Sequence, residues 1–209
     1  EKVPDNPNAR SSRRGFSGTL YKTDAFLQTQ PYGTVPAAFS SDGKIGVFES
    51  NSILRAVARS GSAEHGLYGR SAMDASRIDS FLDATLVFGR EAQVYLLSIN
   101  EISAELHQRM AGAFEFFVEG IERALGHHAY LAGDELTIAD IAFVCDLSQF
   151  LRERLMRAGL DAASLPLVSE GAEQTYPRAF AHLFRLIEQP QFTQYLGDYT
   201  EHFLPKSVS

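Results

Sequence analysis

Seven apolar residues, Ile102, Leu106, Met110, Phe114, Phe117, Ile121 and Leu125, recur in steps of four or three. That is the period of one helix face and not of a strand, so the segment predicts a long amphipathic helix whose stripe is core and holds no ligand. A stripe of this length has to be covered, and the flanking sequence offers helices to cover it. Ile78, Phe81, Leu82, Thr85 and Leu86 repeat at the same spacing, with Asp79 and Asp83 on the other side. Ile138, Ile141, Phe143, Val144, Leu147, Phe150 and Leu151 make a helix apolar nearly all round, which predicts a central, buried position. A loop containing Gly159 and Pro166 leads to a last amphipathic helix over 177–189, with Phe180, Leu183, Phe184 and Ile187 inward and Pro190 ending it. Residues 70–209 therefore read as one all-helical domain.

The texture upstream is different. TDAFLQTQ, from Thr23, reads as a short capped helix stopped by Pro31. Two strands, Val35 to Phe39 and Ile45 to Phe48, flank SSDGK, whose Asp42-Gly43 pair is a hairpin signal. Serine caps ahead of Ile53, Leu54 and Val57 then start a second helix that ends near Arg59. A small α/β domain is expected over 23–60, with a glycine-rich linker over 61–69. Residues 1–22 carry Pro4, Pro7, Gly15 and Gly18 with no periodicity and read as an irregular, locally basic arm.

Composition narrows the function classes. The 209 residues include 19 Lys and Arg against 26 Asp and Glu, a net charge of −7, which argues against a chain whose main task is holding phosphate backbones. No nucleic-acid partner is expected. The single cysteine, Cys145, leaves no intramolecular disulfide, thiolate metal cluster or CxxC redox pair and fits a reducing compartment. No apolar run approaches the ~18 residues needed to span a bilayer, so no membrane partner is expected. The chain opens on Glu1 with no signal segment and is expected to be cytoplasmic and to lack its native start.

The densest local signal is PYGTVPAAFSSDGKIGVFESNS, residues 31–52. Pro36 opens a strand and cannot donate to its ladder, so it belongs at a strand start or edge, where a cis Val35-Pro36 bond is expected. The backbone of Val35 is then left to an extended peptide lying alongside. Glu49 and Ser50, at the next helix start, offer a carboxylate to an ammonium, and a hydroxyl and backbone N–H groups to a carboxylate. A zwitterionic γ-glutamyl group would use both. On residues alone the weightier reading is the other one: Ser50 is only a helix cap and Glu49 only a first-turn dipole partner, with no ligand at all.

Three segments together resemble the glutathione transferase superfamily: FLQTQPYGTVP (26–36), VFESNSI (47–53) and GDELTIADI (133–141), in the family's order and spacing. The resemblance covers about 23–203. It implies a fold that is α/β plus all-α, with a truncated thioredoxin-like N-terminal domain followed by an all-helical C-terminal domain. It also implies glutathione as co-substrate, bound by Val35 and Pro36 along the cysteinyl part and by Glu49 and Ser50 at the γ-glutamyl end. Thr137 and Asp140 look like the family's structural cap. VFESNSI and PRAFAHLFRLIEQPQFTQYLG (177–197) look closest to the N-terminal module of the gamma subunits of elongation factor 1B.

The sequence also departs from the family pattern. A strand and a helix precede the Thr23 helix in the family, and a βαβ unit takes roughly 30 residues, against 22 here. The segment carrying the thiol-activating residue is therefore expected to be absent, and no catalytic residue is named; Tyr21 and Ser17 match no motif. Cys145 is expected to be a small core residue and not a nucleophile. His127-His128 reads as a surface pair, with no metal site. Phe88 and Tyr95 are candidates for lining a cleft for a small apolar electrophile, with ordinary core as the other reading. The resemblance implies conjugation of glutathione to such an electrophile in a homodimer. The alternative is a non-catalytic, elongation-factor-like module docking a protein partner in a translation complex.

Overall fold

A computed structural model describes residues 9–11, 21–61 and 66–204. The chain divides into two units, Glu1–Ser62 and Ala63–Ser209.

In the second unit each long helix is started by a side chain that satisfies its first N–H groups. Helix α3, Ala72–Ser98, opens on a reciprocal box in which Ser71 Oγ accepts from Asp74 N (3.1 Å) and Asp74 Oδ2 accepts from Ser71 N (2.9 Å). Helix α4, Ala104–Ala124, is capped by Ser103, which accepts from Leu106 N at 3.1 Å. Its stripe is core as the spacing predicts: Met110, Phe114, Phe117 and Ile121 are buried. Helix α5, Ile138–Phe150, buries nine of its residues. Phe88 stacks on Phe117 (4.3 Å between centroids), Phe114 stacks on Phe150 (4.9 Å), and Phe88 meets Phe150 edge-on (5.5 Å), so three helices share one aromatic cluster.

Two buried carboxylates tie irregular chain to this core. Asp140 accepts from Thr137 N (2.9 Å), Leu131 N (3.0 Å) and His182 Nε2 (2.9 Å). Glu153 accepts from Tyr95 Oη (2.8 Å), Val168 N (3.2 Å) and Ser169 N (2.7 Å). Asp140 and Thr137 are thus fully used in holding the turn before α5, which fits a structural cap.

The region after α5 is more helical than its Gly159 and Pro166 suggest. A 3-10 turn over Leu151–Met156 runs into α6, Arg157–Ala162, and α7, Ala172–Thr175, precedes α8, Pro177–Ile187. The helix expected to be the last is not: α8 ends at Ile187, and Pro190, expected to stop it, occupies the first turn of α9, Pro190–Thr200, where a missing N–H costs nothing.

The first unit is small. Helix α1, Asp24–Thr29, is capped by Thr23, whose Oγ1 accepts from Phe26 N at 3.2 Å. Strands β3, Ala37–Phe39, and β4, Gly46–Phe48, pair antiparallel with Ala37 opposite Phe48. Their turn uses Gly43 at φ +72°, and Asp42 Oδ1 accepts from Ser40 Oγ (2.7 Å) and Lys44 N (3.1 Å). Gly46 runs so close to the Thr29 carbonyl of α1 that any Cβ would collide with it. Helix α2, Ser50–Ser60, follows β4 with one residue between.

The arm expected to be irregular contains structure. Strand β1, Ala9–Ser11, pairs antiparallel with β2, Tyr21–Thr23. A three-residue ladder is closed by backbone hydrogen bonds and needs no apolar alternation, so no periodicity announced it.

Candidate functional site

The β3/β4 register assembles the site. Pro36 directly precedes Ala37 and Glu49 directly follows Phe48, so the pairing of Ala37 with Phe48 puts Val35-Pro36 and Glu49-Ser50 at the same end of the hairpin. The Val35-Pro36 bond is cis, as expected. Val35 is 66% exposed, and among the described residues its N–H and C=O have no hydrogen-bond partner, which leaves a short extended edge facing solvent.

That edge is held from behind by Gln30, a residue for which the sequence predicts no role. Gln30 is fully buried; its Nε2 donates to Thr34 O (2.6 Å) and Thr34 Oγ1 (2.8 Å), and its Oε1 accepts from Gly33 N (2.6 Å). One amide thus closes the turn that delivers Val35. Tyr32 packs edge-on against Phe48 at 5.2 Å and ties the same turn to β4. A polar residue at the end of a short helix, followed by Pro-Tyr-Gly, is the only signal the sequence offers for it.

The helix side of the corner corrects the serine-cap expectation. The N-cap of α2 is Glu49, and Ser50 is the first helical residue. Glu49 sits at φ +66°, ψ 128°, a conformation that an L side chain adopts at a cost of roughly 1–3 kcal/mol, and its side chain does not cap the helix. A capping serine would lie in ordinary extended backbone and bond the first turn. Here the first turn of an eleven-residue helix opens without a side-chain cap, with a strained carboxylate residue at its entrance and the Ser50 hydroxyl exposed.

Other candidates are relocated or fall outside the described residues. Phe88 and Tyr95 are buried at the aromatic cluster and against Glu153, so neither lines a cleft; burial, then the Glu153 charge, pushes the Tyr95 phenol far up. Cys145 is exposed and not core, because α5 turns one narrow stripe outward. The protein packed around its thiol, with Asp146 beside it, pushes its pKa up to about 11, which keeps it protonated and weakly nucleophilic at neutral pH. His127 and His128 are exposed, and His128 Nδ1 lies 3.6 Å from Asp134 Oδ1. The backbone of Tyr21 belongs to β2; its side chain, and Ser17 entirely, lie outside the described residues. No described helix is long and apolar enough to cross a membrane.

Residues 79–190, more than half the chain, match the family described as glutathione S-transferase, C-terminal domain. The chain belongs to that family. Elongation factor 1-gamma 2 of Oryza sativa subsp. japonica is 28% identical over 186 residues, covering 87% of this chain and 40% of the relative. A glutathione S-transferase-like protein of Aspergillus aculeatus is 27% identical over 188 residues, covering 87% of this chain and 81% of its own. A solved glutathione S-transferase of Methylobacillus flagellatus KT with glutathione bound superposes with a TM-score of 0.64 at 16% identity, covering 80% of this chain and 78% of the other. This chain thus spans about 40% of the length of its elongation-factor relatives. The glutathione S-transferase fold accounts for both units: a partial thioredoxin-like α/β domain followed by the family's all-helical domain.

Proposed function

We propose that this chain binds glutathione at the hairpin corner and acts as a glutathione transferase toward a small apolar electrophile in the cytoplasm. The observation that carries the reading is the meeting of two complementary half-sites at one end of β3/β4. The unpartnered Val35 backbone suits the extended cysteinyl part of the tripeptide. Glu49 suits the γ-glutamyl ammonium, and the Ser50 hydroxyl with the α2 N-terminus suits its carboxylate. Pro36 fixes the start of the strand and supplies no competing N–H. In the reaction the thiol loses its proton, the sulfur forms a bond to the electrophilic carbon, and the leaving group departs with the bonding pair. Titration calorimetry with glutathione tests the site: heat is expected from the native chain and none from Glu49→Ala/Ser50→Ala, and absence of heat from the native chain overturns the reading.

One observation favours a second reading. The elongation-factor relative matches over 87% of this chain, which supports a non-catalytic module docking a protein partner in a translation complex. Turnover of 1-chloro-2,4-dinitrobenzene separates the two: thioether formation supports the transferase, and glutathione heat without turnover supports the docking module. Pairing of two copies belongs to either reading. It is supported by the apolar residues that α3 and α4 leave exposed, Met73, Val87, Val94, Leu97 and Phe116, the last at 80%. Light scattering should report a dimer that Phe116→Glu weakens.

A further inference from the structure

A second cleft lies wholly within the helical unit. It has a volume of about 410 Å³, and its walls are Cys145 and Gln149 of α5, Arg152 of the following 3-10 turn, and Tyr195, Leu196 and Tyr199 of α9. The α9 wall is anchored from its other side: Phe192, Thr200 and Phe203 are buried, and Arg154 Nη1 donates to Phe203 O at 3.3 Å. Tyr195 and Tyr199 are thereby held toward α5, with Tyr195 76% exposed.

The cleft carries an arginine with no carboxylate partner among the described residues, a property that Arg77 and Arg185 share elsewhere in the helical unit. Arg70, Arg109, Arg123, Arg154, Arg157 and Arg178 each meet a carboxylate. Arg152 makes no ion pair among the described residues, although acidic residues outnumber basic ones, and its guanidinium lies 5.7 Å from the Tyr199 ring centroid. A planar cation with no ion-pair partner, close to the Tyr199 ring in a cleft that Gln149 and Tyr195 also line, is a receptor for a flat anion: the fork binds a carboxylate through two parallel N–H donors, and the rings and Leu196 cover an apolar plane. A single cation in a chain of net charge −7 selects a monoanion over a phosphate dianion.

We propose that this cleft binds an aromatic monocarboxylate, with Arg152 on the carboxylate and the ring of the ligand against Tyr195 and Tyr199. The site is independent of the glutathione reading, since none of its residues belongs to the hairpin unit.

The chain supplies its own reporter, because Cys145 is the sole cysteine and lies in the cleft wall. N-ethylmaleimide modification, followed by intact mass at pH 8, should slow at least fivefold with 1-naphthoate and stay unchanged with the neutral isostere 1-naphthamide. Arg152→Gln should label at the native unliganded rate and lose the protection. If that variant does not keep the native melting temperature, Tyr195→Ala, at an exposed position, should weaken protection instead. Glu49→Ala/Ser50→Ala should be protected like the native chain. Equal protection by both naphthalenes, protection surviving in folded Arg152→Gln, or protection lost with the hairpin variant would each overturn the proposal; because the thiol is held protonated, titration calorimetry with 1-naphthoate is read alongside, and absence of heat from the native chain overturns it as well.

Discussion

The two units are held together by different means. Among the described residues every buried hydrophobic side chain belongs to the helical unit, from Ile78 to Phe203. Among its described residues the hairpin unit buries Gln30, Gly33 and Asn51 and leaves Tyr32, Val35, Phe39, Ile45 and Val57 exposed. The helical unit holds itself together by apolar packing, which tolerates little loss of volume. The hairpin unit is shaped by a backbone register, two buried amides and one strained residue, devices that position groups and contribute little burial. A substitution should therefore mean different things in the two places.

The largest expected effect is Phe150→Ala. Its ring meets Phe88, Tyr95 and Phe114, and its loss should cost about 3–5 kcal/mol in urea unfolding followed by circular dichroism. Val35→Ala, at an exposed position of the hairpin unit, should cost less than about 0.5 kcal/mol in the same measurement. Similar costs for the two would remove the contrast.

Asp140→Asn comes next, at about 2–4 kcal/mol, since the new amide presents donors where Leu131 N, Thr137 N and His182 Nε2 all require an acceptor or a charge partner. This node was largely legible in sequence, because a threonine followed three residues later by an acid marks a helix start locally. The stripes of α4 and α5 were legible for the same reason: periodicity reports a buried face directly. What escaped was set by tertiary context. Pro190 reads equally as the stop of α8 or as the first turn of a new helix over 190–200, and only packing against the core decides between them. Phe88 and Tyr95 carry the same aromatic character in a core as in a cleft. Cys145 looked inward because its neighbours do, yet a helix apolar nearly all round still turns one stripe to solvent. At the corner, Val35, Pro36, Glu49 and Ser50 could be picked out from the motif, but the register that joins them and the φ of Glu49 are properties of folded backbone.

Asp146→Asn should sharpen the comparison in the opposite direction. Asp146 on α5 packs against α3 so closely that a Cβ on Gly89 would lie 2.7 Å from Oδ1, and burial pushes its carboxyl up to about 6. The folded chain therefore holds this proton more tightly than the unfolded chain, where an aspartate titrates near about 3.9. Stability falls as pH rises through the window between about 4 and 6, and the penalty is complete above it. The asparagine variant should be more stable than the native chain by about 1–3 kcal/mol at pH 7, with the gain gone at pH 4. A gain independent of pH would mean that packing, and not charge, is at issue.

A small effect on stability is expected at Glu49, where the proposed glutathione site predicts a large effect on binding. Glu49 holds φ +66°, a region glycine enters freely, so Glu49→Gly relieves backbone strain while removing the carboxylate and the interactions its side chain makes. The two changes oppose each other, and the net should stay within about 1 kcal/mol of the native chain, read from hydrogen exchange across β3 and β4. Glutathione heat should nevertheless fall at least tenfold, because a charge-assisted partner of the ammonium has gone. At a buried node of the helical core such as Asp140, by contrast, a polar substitution travels with unfolding. At the corner the two separate, because the position of Glu49 at the helix entrance is set by the β3/β4 register and not by a place in the apolar core. If Glu49→Gly lowers protection of β3 and β4 as much as it lowers binding, Glu49 is a structural residue of the hairpin and the division of labour between the units fails at the site that defines it.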